Sequence, residues 1–111
     1  MPLTWEEFEK TEMCTGTIIE VNDFPEARKP AYQLLIDFGP DTGLRKSSAQ
    51  ITSKYTKETL INKQVVAVVN FPKKQIGKFM SECLVLGAVD DKGDVTLLSP
   101  DTLVANGLRI A

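Results

Sequence analysis

The amino-acid sequence predicts an all-β fold, a small barrel of five strands with short helices. Three observations lead there. Runs rich in Val, Ile, Thr and aromatic residues recur at short intervals, separated by Pro, Asp, Asn and Gly turn signals. Helix signals are confined to brief capped stretches. One of these stretches falls between the third and fourth strand signals, which is where a compact Greek-key barrel needs it.

The elements follow in order. Thr4-Trp5-Glu6-Glu7 fits a capping box, with Trp5 and Phe8 on one side of the brief helix that follows. "CTGTIIEV" (14–21) is the first strand, with Gly16 at the expected place of a bulge. "NDFPEARKP" is a loop, "AYQLLIDFG" the second strand and "PDTG" a reverse turn. "LRKSSAQIT" gives a third strand with Leu44 and Ile51 as its apolar marks. Thr56 caps one helical turn over Lys57–Leu60, although the segment lacks the usual Glu of a capping box. "QVVAVVNF" is a nearly continuous β-branched run, as expected of a strand buried on both faces. "PKKQIGKFM" reads as irregular because of Pro72 and Gly77. "SECLVLGAV" is a further strand, "DDKGD" a hairpin turn and "VTLLSP" its return partner. The closing "DTLVANGLRIA" is apolar enough to pack rather than dangle. This order of strands and helix is that of the five-stranded OB-fold barrel.

At 111 residues the chain is expected to form one domain, 1–111, able to bury its core without disulfides or metals. Cys14 and Cys83 stand far apart, outside any CxxC spacing, and read as buried thiols. There is no histidine, which removes His-based nucleophile systems and the commonest metal ligand. No cofactor, metal or catalytic residue is expected, and the chain reads as a non-enzyme. No apolar run approaches the ~20 residues that cross a bilayer, and the acidic N-terminus lacks the pattern of a signal peptide. A soluble, cytoplasmic protein with no membrane insertion is therefore expected.

The net charge of −2 conceals an asymmetry. Residues 1–44 sum to −6, residues 45–78 to +7 and residues 79–111 to −3. The basic middle holds Arg45, Lys46, Lys54, Lys57, Lys63, Lys73, Lys74 and Lys78 against Glu58 alone. On charge alone two readings stay open: a localised anion-binding face, or lysines that merely solvate loops and outer strand faces.

"SSAQIT" followed by "YTKETLINKQVVAVVNFPKKQIGKFMSECLVLGA", together with the opening "FEKTEMCTGTIIEVNDFPEARKPAYQLLIDFG", resembles the CsaA-type branch of the tRNA-binding-domain family, over almost the full chain. The resemblance implies an OB-fold homodimer. The wider family includes structure-specific tRNA-binding proteins and the appended domain of some methionyl-tRNA synthetases, and the CsaA-type branch comprises export-related chaperones for unfolded or precursor polypeptides. The family's Ser-x-Gly-Met segment corresponds here to Ser81-Glu82-Cys83-Leu84, in which only Ser81 is kept. That departure belongs to the CsaA-type branch and weakens direct transfer of the wider family's tRNA site to this chain. Asn70 matches the family's Asn at the end of the fourth strand, Lys73 and Lys74 its basic loop, and Arg45-Lys46 the basic start of its third strand.

Two functional readings follow. In the first, RNA lies on the strand 2–3 face, with Arg45, Lys46, Lys73, Lys74 and Lys78 on phosphates and Gln50, Asn70 and Ser81 as hydrogen-bonding partners. In the second, a chaperone surface for unfolded or precursor polypeptides, serving the secretion machinery, uses Phe71, Ile76, Phe79 and Met80. The alternative to a combined role is a dedicated tRNA-binding protein without chaperone activity. Trp5, Phe8, Leu103, Val104, Leu108 and Ile110 are more apolar material than one small barrel readily buries, so they are expected at a homodimer interface; otherwise both termini fold over their own barrel.

Overall fold

A computed structural model describes residues 1–111. The elements run α1 (Trp5–Glu9), β1 (Met13–Asp23), β2 (Tyr32–Asp37), α2 (Gly39–Thr42), β3 (Leu44–Ala49), α3 (Lys57–Leu60), β4 (Gln64–Val68), β5 (Lys74–Ile76), β6 (Phe79–Ser81), β7 (Leu84–Val85), β8 (Gly87–Val89) and β9 (Val95–Leu97). Five strands form one antiparallel sheet in the order β3-β2-β1-β4-β7. It curls into a nearly closed barrel of OB-like form. The seam between β3 and the β6–β7 segment is held partly by side chains. Glu82 N–H donates to the Lys46 carbonyl at 2.7 Å, Lys46 N–H to Glu82 Oε1 at 3.0 Å, and Ser48 N–H to Ser81 Oγ at 3.2 Å.

The barrel closes on Ile18, Leu34, Ile36, Phe38, Leu60 and Val65, all fully buried. β1 is long enough to serve two neighbours, pairing its first half with β4 and its second with β2. The bulge that lets it bend lies between Ile18 and Glu20, not at Gly16. Gly16 has a different reason to be glycine: a Cβ there would stand 2.6 Å from Phe38 Cδ1 and 2.7 Å from Ile36 Cγ2.

Several local expectations are corrected. "PKKQIGKFM" is ordered as the β5–β6 hairpin: Gly77, at φ +61°, makes the turn, and Pro72 stands outside the strands where it removes no ladder hydrogen bond. "SECLVLGAV" is not one strand. Ser81 pairs with Lys74, Leu84 with Val68 and Gly87 with Leu97, and the change of partner drops Cys83 into the core. "PDTG" forms the short helix α2, closed by Gly43 N–H on the Gly39 carbonyl at 2.7 Å. α3 is present where expected, and its capping box is complete because Thr59 takes the place of the missing Glu. Leu44 is exposed, while Ser47 and Ala49 face inward on β3. The α1 box of Thr4 and Glu7 and the Asp90–Asp94 hairpin turn form as read.

The C-terminal segment packs. Thr15 Oγ donates to the Ala105 carbonyl and accepts from Leu108 N–H, Ile110 N–H donates to Met13, and Gln64 makes two hydrogen bonds to the Val104 backbone. The tail thereby runs along the N-terminal half of β1. Phe8, Val104 and Ile110 are half-buried, Leu108 is exposed, and Trp5 (82% exposed) and Leu103 (86%) project into solvent.

Candidate nucleic-acid interface

Strand pairing puts Leu35 beside Lys46 and Gln33 beside Ser48. These four alternate with inward-facing Leu34, Ile36 and Ser47, so they form the outer face of β2–β3. Two walls flank it: the β1–β2 loop, residues 24–31, and the β5–β6 hairpin. Between them runs a groove of about 350 Å³ lined by Arg28 and Lys29 from one wall, Lys74, Gln75 and Ile76 from the other, and Ser48 and Gln50 from the floor. A smaller groove of about 220 Å³ lies over Gln33, Leu35, Lys46 and Phe79. Phe79 is held at its rim, 5.3 Å from the Phe24 ring and tilted by 57°, with Lys46 Nζ 5.4 Å from its centroid.

The expected phosphate partners separate into groups. Lys46, Lys74 and Lys78 form no ion pair, and Lys74 and Lys78 are exposed. Lys73 is paired to Glu82 at 3.4 Å. Arg45 turns the other way and donates from Nη1 to the Val69 carbonyl at 3.2 Å, tying β3 to the end of β4. Asn70 is a clamp: its Nδ2 donates to the Lys10 carbonyl and its Oδ1 accepts from Glu12 N–H, fixing the segment after α1. Gln50 is exposed on the groove floor, and Ser81 Oγ is taken by the barrel seam. Of the other basic residues, Lys57 pairs with Asp23, Lys54 Nζ donates to Thr96 Oγ1, and Lys63 lies over the Tyr55 ring.

Arg28 and Lys29 escape a reading by segment, because the first 44 residues are strongly acidic in sum. The signal was a basic pair inside the one loop that faces the basic hairpin in this fold.

On the far side of the hairpin a third groove of about 480 Å³ is mostly apolar, lined by Ile51, Ile76, Leu84, Val89 and Val95, with Lys74 and Ser81 at its polar edge. Of the residues expected at a peptide surface, Ile76 lines this groove. Phe79 belongs to the smaller one, Met80 is half-buried opposite Gln75 in the hairpin, and Phe71 stands free at 54% exposure.

Partial burial pushes the Glu82 carboxyl up, but Lys46 N–H and the Lys73 ammonium more than offset it, so it titrates below the usual carboxylate range. Burial pushes the Cys83 thiol up to about 12, against the opposing pull of Ser47 and Arg45, and Cys14 is raised for the same first reason. Neither thiol forms a disulfide. At neutral pH both are protonated and enclosed, so a thiolate-directed reagent such as Ellman's is expected to leave the native protein unmodified and to titrate two thiols after unfolding. Rapid reaction of a native thiol would contradict this placement.

The sequence matches the family described as "Putative tRNA binding domain" over residues 13–109. The chain belongs to the tRNA-binding-domain family. It is 47% identical to the chaperone CsaA of Bacillus anthracis, with a TM-score of 0.94 and both chains covered in full. It is 51% identical to the CsaA chaperone protein of Picrophilus torridus, with a TM-score of 0.91 over 99% of this chain and 100% of that one. It is also 36% identical to the methionine–tRNA ligase of Pyrococcus horikoshii over 96% of its length, and spans 14% of that ligase. The likeness to CsaA runs the full chain, whereas the ligases carry a region like this one as a small part.

Proposed function

We propose that the protein is a non-enzymatic binding module for tRNA-like RNA, held in the groove between the β1–β2 loop and the β5–β6 hairpin. The observation that carries this is the convergence of Arg28, Lys29 and Lys74 on one groove over the β2–β3 face. The walls come from distant parts of the sequence, and the cations that line them have no anionic partner within the chain. Phosphates satisfy such cations without requiring a particular base, which suits recognition of a folded RNA by shape.

A second reading rests on the 480 Å³ apolar groove and on the two similar structures that are chaperones. In it the protein also receives unfolded or precursor polypeptides, as a cytoplasmic partner of the secretion machinery. The two sites share Lys74 and the hairpin, so RNA and polypeptide would compete there. We place Trp5, Phe8, Leu103, Val104, Leu108 and Ile110 at a homodimer interface, since exposed Trp5 and Leu103 gain a cover only from outside their own barrel.

One experiment addresses these readings together: sedimentation of the protein alone, with bulk tRNA, and with tRNA plus a labelled denatured polypeptide. The expected result is a species of twice the 12.3 kDa chain mass. It should bind tRNA with a steep loss on raising salt, as counterion release requires, and yield some of it to the polypeptide. A monomer at micromolar concentration removes the dimer. Salt-insensitive or absent tRNA binding removes the RNA reading. Failure of the polypeptide to compete leaves a dedicated tRNA-binding protein.

A further inference from the structure

We infer that Glu82 is a positioning residue with two separable duties, pinning the hairpin wall to β3 through one carboxylate oxygen and holding Lys73 away from RNA through the other. The inference rests on the RNA reading of the groove.

The carboxylate sits where the barrel seam meets the root of the hairpin. Its Oε1 accepts Lys46 N–H at 3.0 Å, beside the 2.7 Å bond from Glu82 N–H to the Lys46 carbonyl. Those two bonds join β3, which floors the groove, to the chain just after β6. Its Oε2 faces Lys73 Nζ at 3.4 Å, on the residue that leads into β5. The side chain of Glu82 is 17% exposed, and that of Lys73 is 63% exposed. One partner is therefore fixed and largely enclosed, and the other is a solvated ammonium on a flexible stem. Removing the carboxylate charge frees that ammonium for another anion.

Lys46, Lys74, Lys78, Arg28 and Lys29 have no anion bound within the chain, so Lys73 alone of this group is occupied. A phosphate arriving at the hairpin meets a lysine that is already paired and a carboxylate that repels it. Once the Glu82 charge is gone Lys73 is free to meet that phosphate, and the wall holds its place as long as an oxygen at position 82 still accepts Lys46 N–H. The charge of Glu82 in this way lowers affinity and makes release easier, while its bond to Lys46 N–H keeps the wall in place.

The two duties separate on substitution. Gln at position 82 keeps an oxygen that accepts Lys46 N–H and gives up the charge that binds Lys73, whereas Ala gives up both. The expected result for E82Q is tighter binding of bulk tRNA at low salt, by several-fold. Its dependence of log affinity on log salt should be steeper by about 0.7–0.9, the increment of one additional phosphate contact. Its thermal midpoint should stay close to that of the parent. E82A should lower the midpoint and weaken binding. K73Q should change little in the parent and should erase the extra slope in the E82Q background, a coupling that a purely structural Glu82 would not produce.

An E82Q protein with parental affinity and slope overturns the inference, as does a K73Q loss equal in both backgrounds. If the parent itself shows no salt-dependent binding of tRNA, the RNA reading of the groove fails first. Parental binding with an inert E82Q defeats the role of Glu82 alone.

Discussion

Charge reversal of Arg28, Lys29 and Lys74 together is expected to lower the affinity for tRNA by on the order of 100-fold or more, with the fold unchanged. All three line one groove and none is used by the barrel. Each lost phosphate contact removes a charge-assisted hydrogen bond, and each new carboxylate adds repulsion. The slope of affinity against salt should flatten at the same time, since fewer counterions are released. Filter binding or fluorescence anisotropy across a salt series measures both quantities, and a thermal scan verifies the fold. Unchanged affinity would mean that these cations solvate loops and that the groove is not the RNA site.

This triple change is a cleaner probe than reversal of the Lys73–Lys74 pair, the choice that the sequence alone suggests. Lys73 faces Glu82 at the barrel seam, so a glutamate there would set two carboxylates against each other and disturb the hairpin itself. Arg45 is a poor probe for the same kind of reason. Its guanidinium is bonded to the Val69 carbonyl, and its loss would be felt in the barrel.

The architecture was legible because it depends on period and punctuation. The β-branched run at 64–68 and the alternation of β2 leave few alternatives, and Thr4 and Thr56 mark helix starts by their own chemistry. The hairpin at 74–81 was hidden because Gly77 is both the breaker that disrupts a strand pattern and the residue that a tight turn needs. The break at Cys83 was hidden for another reason: a β-branched and leucine-rich run looks the same whether its backbone keeps one partner or changes among three.

Charge was legible only in part. Adding charges by segment finds the lysines of the hairpin but assigns Arg45 to the same surface, although alternation on β3 points it toward the side of Ser47. The same sum buries Arg28 and Lys29 under the acidic residues of the first third. Only the fold shows that residues 28 and 74 face one groove. A binding face made by two loops is a property of topology, and composition does not carry it.

Phe38 to Ala is expected to cause the largest loss of stability of any single change here, about 3–5 kcal/mol, with a fall in thermal midpoint of about 12 °C or more. The ring is the largest fully buried side chain in the barrel. Gly16 gives the internal test. A methyl group at 16 would stand 2.6 Å from Phe38 Cδ1, so Gly16 to Ala alone should cost about 1–3 kcal/mol through overpacking. With Phe38 already truncated, that methyl loses its clash with the ring and must still displace Ile36 Cγ2, at 2.7 Å. The double variant should therefore be less damaged than the two losses added together, with a coupling on the order of 1 kcal/mol or more. Strict additivity in chemical denaturation would show that the ring does not explain why position 16 is glycine. Both residues lie in the barrel interior, away from the basic groove. The folded fraction of either variant should then bind tRNA as the parent does, separating what holds the barrel together from what it holds.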